Sequence, residues 1–273
     1  MALIVDSVRF TYEAGTAVAA PVLDGVSLTV ESGEVVVCVG ATGSGKSTLL
    51  RLCAGLLIPT EGSVVVDGAS ARARHAVGIV FQNPEAQFFA ETVGADVAFG
   101  PKNLGLTDVD GAVTEALSAV GLDASAFRGR SPFTLSGGEA RRVAIAGVLA
   151  MQTPYLLLDE PTVGLDPFGR RAVLQVVRNA RDHAGVLVVT HDADEFLSIA
   201  DRVVALHDGR VLFEGTPQVL AEEPELWERA GLALPPLVMA QHLARGRGAT
   251  IPSIVLDVEG AARALVAAKA GVS

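Results

Sequence analysis

Eight consecutive residues, Gly40-Ala41-Thr42-Gly43-Ser44-Gly45-Lys46-Ser47, carry the densest chemical signal in the chain. Glycines at this spacing let backbone N–H groups close around phosphate oxygens, and a helix opening at the end of the loop adds a favourable dipole. In such a GxxxxGK[ST] pattern Lys46 reaches the β- and γ-phosphates of a nucleoside triphosphate, and the Ser47 hydroxyl can ligate Mg²⁺. Thr48, next in the chain, is counted with the nucleotide-binding residues. The plain alternative is a Gly-rich turn ahead of a helix; the strand-like run before the loop and the helical run after it supply the context the motif requires. A second signal is Tyr155-Leu156-Leu157-Leu158-Asp159-Glu160, an apolar run that delivers two consecutive acids. Acids at a strand end are commonly solvated loop residues. Beside a phosphate loop they gain a division of labour: Asp159 would hold Mg²⁺, directly or through water, and Glu160 would polarise an attacking water.

The elements needed to position these groups can be read from periodicity. Val35 to Gly40, Tyr155 to Glu160 and Gly185 to Thr190 are compact apolar runs, as expected of buried parallel strands with functional groups at their carboxyl ends. Gly45 to Leu56 has helical character. Residues 2–12, 22–31 and Ser63 to Gly68 read as strands of an antiparallel sheet, whereas the stretch from about 84 to 152 lacks β-branched runs. Within that stretch, Asp110 to Val120 and Gly137 to Ala150 carry helical patterning, predicting an inserted helical subdomain. Asp208-Gly209 is a turn signal between Val203 to Leu206 and Arg210 to Glu214. The chain is then helical and Pro-interrupted. This divides it into 1–215 and a C-terminal extension, 216–273, in an α/β fold with a mainly parallel central sheet.

Thr134-Leu135-Ser136-Gly137-Gly138-Glu139 resembles the LSGGQ signature of ATP-binding-cassette proteins, with Glu139 in place of the usual glutamine. Ser136 and Glu139 also satisfy the capping-box pattern, and both readings can hold. The resemblance runs from about residue 3 to 220. It implies a phosphate-loop (RecA-like) ATPase core, ATP and Mg²⁺ as ligands, and two subunits that share their sites. In the family the signature faces the γ-phosphate bound by the opposing subunit, so Ser136, Gly137, Gly138 and Glu139 would complete the partner's site. Further matches imply that Tyr12 stacks on adenine, against the rival reading of a half-buried strand tyrosine. Gln82 matches the Q-loop glutamine that contacts Mg²⁺, Asp166 in Gly164-Leu165-Asp166 matches the D-loop, and His191 matches the switch histidine on the γ-phosphate. Asp166 ahead of Pro167 also reads as a helix N-cap.

Phe81-Gln82-Asn83-Pro84-Glu85-Ala86-Gln87-Phe88-Phe89, Thr92-Val93, Asp96 to Asn103, Arg141 to Ala150 and Gly231 to Pro236 are similar to the energy-coupling-factor ATPases of vitamin and transition-metal importers. That resemblance implies a second ATPase, identical or related, a transmembrane coupling protein and a substrate-binding membrane protein. A groove beside Gln82 to Phe89 would receive the coupling helices, with ordinary packing of Phe88 and Phe89 as the rival reading. One phosphate loop and no internal repeat mean that a two-site motor needs a second chain.

Composition sets outer bounds. The 273 residues are half hydrophobic, yet runs such as Val35 to Val39 are far shorter than the roughly 20 residues that cross a bilayer. No secretory signal is expected at the start, giving a location peripheral to the membrane on its cytoplasmic face. A formal charge of −10 argues against nucleic acid as a partner, because phosphate neutralisation needs clustered positive charge. Two rivals remain: a soluble cassette ATPase acting on ribosomes or DNA, and a cassette that binds ATP without turnover. Cys38 and Cys53 lack metal spacing and read as buried free thiols.

Overall fold

The computed structural model describes residues 1–16, 18–71, 77–83 and 87–270; Pro84 to Ala86 and 271–273 lie outside that set. In chain order come β1 (Ala2–Tyr12), β2 (Ala20–Glu31), β3 (Val35–Val39), α1 (Lys46–Cys53), β4 (Glu61–Val66), β5 (Ala69–Ser70) and β6 (Val77–Val80). Then follow α2 (Val93–Val97), α3 (Phe99–Leu104), α4 (Val109–Ala119), α5 (Ala124–Phe127), α6 (Gly137–Leu149), β7 (Tyr155–Asp159), α7 (Pro167–Ala180) and β8 (Gly185–Thr190). The chain closes with β9 (Arg202–His207), β10 (Arg210–Gly215), α8 (Pro217–Glu222), α9 (Pro224–Arg229), α10 (Pro236–Gly246) and α11 (Val258–Ala270).

Two sheets result. The larger has the order β10-β9-β3-β8-β7-β6, parallel throughout except for the antiparallel edge strand β10. The smaller, β2-β1-β4-β5, is antiparallel. Because successive side chains on a strand point to opposite faces, the buried runs split cleanly. Val35, Val37, Val39, Leu156, Leu158, Val186 and Val188 face one core together with α2, α4, α6 and α7. Val36, Cys38, Tyr155, Leu157, Leu187 and Val189 face the other, with α1 and the antiparallel sheet. Burial on both faces explains why these strands read as continuous apolar runs. Arg202 ties the layers, donating to Glu34 at 2.8 and 3.0 Å, to the Thr29 carbonyl on β2 and to Glu214 on β10.

Several expected boundaries shift. α1 stops at Cys53 rather than Leu56, because Gly55 takes a positive φ and Leu56 N–H turns back to the Arg51 carbonyl, the usual glycine stop. The strand expected over Tyr155 to Glu160 ends at Asp159. Helices α2, α3 and α5, of five, six and four residues, are too short to show a period of 3.6 in sequence. Among the described residues no helix is long and apolar enough to cross a membrane. Leu220 of α8, Trp227 of α9 and Ala230 just after it join the core beneath the parallel sheet, while Ala221, Val238 and Ile254 form a small cluster of their own. Both cysteines are free and buried, and burial pushes the Cys38 thiol up to about 12.

Where β3 hands over to the phosphate loop, crowding is severe: a Cβ on Gly40 would stand 2.2 Å from the Leu206 carbonyl of β9 and 2.7 Å from Ser44 Oγ. Overpacking against backbone costs about 1–3 kcal/mol. Gly40→Ala is therefore expected to lower Tm by roughly 2–10 °C and to abolish the stabilisation that added ATP confers. A thermal shift assay showing wild-type Tm and a wild-type ATP response would refute this.

Candidate functional site

Three neighbouring strands release the site residues along one sheet edge. Val39, the last residue of β3, pairs with Thr190 on one side and Ala205 on the other, and Asp159 pairs with Val189. The phosphate loop therefore leaves the middle of the sheet, flanked by the ends of β9 and β8, with the end of β7 next beyond β8.

Within the loop, Thr42 and Gly43 are exposed at the tip while Ser44, Gly45 and Lys46 are buried. Gly45 has φ +105, a conformation that glycine adopts without strain, and any Cβ there would meet Leu23 at 2.6 Å. The Lys46 ammonium donates to the carbonyls of Gly40 (2.7 Å) and Ala41 (2.9 Å), and burial lowers its pKa. Ser44 Oγ is fully buried and has no hydrogen-bond partner within the protein. A buried hydroxyl left this way is costly, and a phosphate oxygen seated in the loop would relieve it. The residues present thus fit a bound triphosphate.

The Ser47 hydroxyl donates to Asp159 Oδ1 at 3.2 Å, bringing together two of the three expected metal ligands. Burial raises the Asp159 carboxyl above its ordinary range, and the Ser47 bond opposes that shift. A hydroxyl beside a carboxylate is the oxygen donor set that suits Mg²⁺, which takes few protein ligands and completes its shell with phosphate and water.

Glu160 is the most constrained residue of the site. Its backbone sits at φ +48, a region that costs a non-glycine residue about 1 kcal/mol or more. That turn keeps its N–H on the Val189 carbonyl at 2.9 Å and swings the carboxylate under the end of β8. There Oε2 accepts from Thr190 Oγ1 (2.9 Å), and Oε1 accepts from His191 N (2.9 Å) and stands 2.7 Å from His191 Nδ1. Facing an ionised carboxylate, which only accepts, Nδ1 is the donor of this pair. Glu160 is buried whereas the His191 side chain is 52% exposed, so the imidazole bridges the buried acid to the open edge.

Other expected residues are distributed around this centre. Tyr12 Oη is 3.2 Å from Thr48 Oγ1, with its ring edge-on to Phe10, so Tyr12 stands against the phosphate-loop helix. Gln82 is exposed, and its main-chain carbonyl is held by Arg141 at 2.6 Å. Asp166 is an exposed N-cap, accepting from Gly169 N at 2.6 Å. Ser136 and Glu139 form a complete capping box on α6. The hydrogen bonds and ion pairs that the described residues make do not join the Ser136–Glu139 turn to the phosphate loop, Asp159, Glu160 or His191 of the same chain; its polar side-chain partner is Arg130.

In the sequence Arg141 stands only within a family-like stretch, with no role assigned to it. Its guanidinium is buried and spans two loops, donating at 2.6 Å to the Gln82 carbonyl and at 2.5 Å to the Glu160 carbonyl. A signal existed: Arg141 lies in phase with Ile145 and Val148, which are buried, so it falls on the apolar stripe of α6. Gly231 supplies a second unforeseen contact, since a Cβ there would come within 3.2 Å of Ala41 Cβ; the turn after α9 thus abuts the phosphate loop.

Comparison with known proteins agrees with this geometry. Residues 23–163 match the family model described as ABC transporter. The "Energy-coupling factor transporter ATP-binding protein EcfA2" of Symbiobacterium thermophilum is 47% identical, the alignment covering 99% of this chain and 98% of that protein. Among solved structures, cbiO1 from Clostridium perfringens, described as part of the ABC transporter complex cbiONQ, superposes with a TM-score of 0.71 at 32% identity, covering 88% of this chain and 98% of that one. The ATP-binding cassette MJ0796, solved as a dimer in a post-hydrolysis state bound to ADP and Pi, gives 0.72 at 30% identity over 80% of this chain and 99% of its own. With its phosphate loop, paired acids and signature turn set on this fold, the chain belongs to the ABC transporter family, among the energy-coupling-factor transporter ATP-binding proteins.

Proposed function

We propose that the chain is the ATP-hydrolysing subunit of an energy-coupling-factor importer, one half of a two-subunit motor on the cytoplasmic face of a membrane that drives uptake of a vitamin or a transition-metal ion. The observation that carries this reading is the Glu160 carboxylate, buried, held by hydrogen bonds from Thr190 and His191, and adjacent in sequence to an acid that holds Ser47. Such a carboxylate is a proton acceptor aimed at a site where a water would attack a phosphoryl group. His191 fixes its orientation and faces the γ-phosphate side through the rest of its ring. Mg²⁺, held by Ser47 and Asp159 and contacted by Gln82 in this reading, would neutralise charge on the phosphates.

Lys46, Ser47, Thr48 and the main chain of residues 40–45 grip the triphosphate, and Tyr12 supports the base. ATP draws two such subunits together, Ser136, Gly137 and Gly138 of each completing the other's site while Asp166 crosses the interface. Hydrolysis removes the γ-phosphate that bridged them, and the dimer reopens. Residues 1–215 form the motor in this reading, and 216–273 an extension that reaches back to the phosphate loop. Phe88 packs on the main core, but Phe89 and Phe99 form an exposed edge-to-face pair with centroids 4.6 Å apart. Exposed aromatics that follow Gln82 in the chain support docking of a transmembrane coupling protein on that surface, with a separate membrane protein binding the cargo. The acidic charge speaks against nucleic acid or ribosomes as partners, and the complete acid and histidine set against a cassette without turnover.

Glu160→Gln keeps the shape of the side chain but removes the proton acceptor. ATP binding is expected to persist while turnover falls about 100-fold or more; a phosphate-release assay giving undiminished turnover would refute the assignment. Chelating divalent cations should abolish hydrolysis, and Asp159→Asn should raise the Mg²⁺ concentration for half-maximal turnover by about tenfold. An unaltered Mg²⁺ titration would remove Asp159 from the metal site.

A further inference from the structure

A carboxylate at the last signature position is an electrostatic liability if that helix start meets a triphosphate, and the structure supplies its counter-charge. Arg130 donates to Glu139 Oε1 at 2.9 Å and to Oε2 at 3.4 Å, a two-pronged engagement suited to the planar guanidinium. Glu139 Oε2 also accepts from Ser136 N at 2.8 Å and from Ser136 Oγ at 3.0 Å, while Ser136 Oγ accepts from Glu139 N. Arg130 is itself held in place. Its guanidinium lies 4.6 Å over the Phe127 ring, its N–H bonds the Phe127 carbonyl, and its carbonyl receives Val93 N–H of α2 at 2.9 Å. Bonds from Arg130 and Ser136 hold the Glu139 carboxyl down to about 2, so this residue is charged at working pH and does not imitate glutamine by staying protonated.

We propose that Arg130 is a positioning residue of the signature, whose guanidinium neutralises Glu139 and keeps it satisfied when the Ser136 hydroxyl turns to a phosphate of the partner subunit. The proposal rests on the reading that Ser136, Gly137 and Gly138 complete the partner's site. The hydroxyl proton of Ser136 points at Glu139 Oε2; to donate to a phosphate it must leave that oxygen. Arg130 retains the carboxylate through two N–H bonds, so the exchange strands no charge. Remove Arg130, and a bare negative charge stands in the turn that has to accept the triphosphate.

Arg130→Gln tests this, because it removes the charge together with the guanidinium over Phe127, two losses that a second substitution at 139 separates. In the full-length ATPase assembled with its partners, R130Q is expected to raise KM for ATP about tenfold, and R130Q/E139Q to return it to within about twofold of wild type. The glutamine at 139 preserves the cap but carries no charge, so rescue separates charge compensation from mere support of the helix. A KM for R130Q within twofold of wild type would overturn the proposal, as would a double variant as weak as the single. Ser136→Arg serves as the separate control. If S136R turns over normally, the shared-site reading falls; if S136R is dead and R130Q silent, only the role of Arg130 falls. Should R130Q not fold, R130K, which keeps the charge but loses the fork, is expected to raise KM by about threefold; a wild-type KM for R130K that E139Q leaves unchanged would count against the proposal.

Discussion

Neighbouring parallel strands keep a separation of about 4.8 Å, and that spacing, with the register of β3 against β8 and β8 against β7, sets where every reactive group of this molecule stands. Val39 opposite Thr190 and Asp159 opposite Val189 put a phosphate loop, two acids and a histidine side by side, though they are up to 151 residues apart in the chain, from Gly40 to His191. A slip of one residue in either pairing would turn every side chain to the other face, and the two cores permit none, since odd and even positions of each strand are buried in different surroundings.

On this frame the acid at the end of β7 is held by competing demands. Taking a carboxylate out of water is expensive unless its oxygens are met, and Glu160 meets three donors from one short segment. Reaching them requires the left-handed backbone at 160, so local strain and side-chain satisfaction trade against each other within one residue. Arg141 adds a second restraint by gripping the same residue's carbonyl together with that of Gln82, joining α6 to both loops.

What could be read from the sequence follows from how local each cause is. The phosphate loop, the paired acids and the strands that deliver them declare themselves through short runs, because glycine freedom and two-sided burial are properties of consecutive residues. Asp166 and Ser136 were legible as caps for the same reason. The ends of α1 and β7 were not: they depend on Gly55 and Glu160 adopting positive φ, which nothing adjacent to Glu160 announces. Contacts set by tertiary approach were also hidden. Arg141 meets carbonyls 59 and 19 residues away, and Arg130 meets a residue nine positions on, across a 3-10 turn at Pro132–Thr134. The counter-ion of the carboxylate at position 139 is one of these tertiary contacts and has no signature in the local sequence.

The central placement of β3 has a consequence for when parts of the molecule come undone. All five of its residues are buried, and it is hydrogen-bonded to a strand on each side, so its amides can exchange with solvent only in openings close to global unfolding. β10, at the margin and partly exposed along its length, belongs to the class that frays first. The loop that must hold a highly charged ligand is therefore anchored to the last segment to open, and thermal fluctuation at the periphery can come and go without loosening its grip.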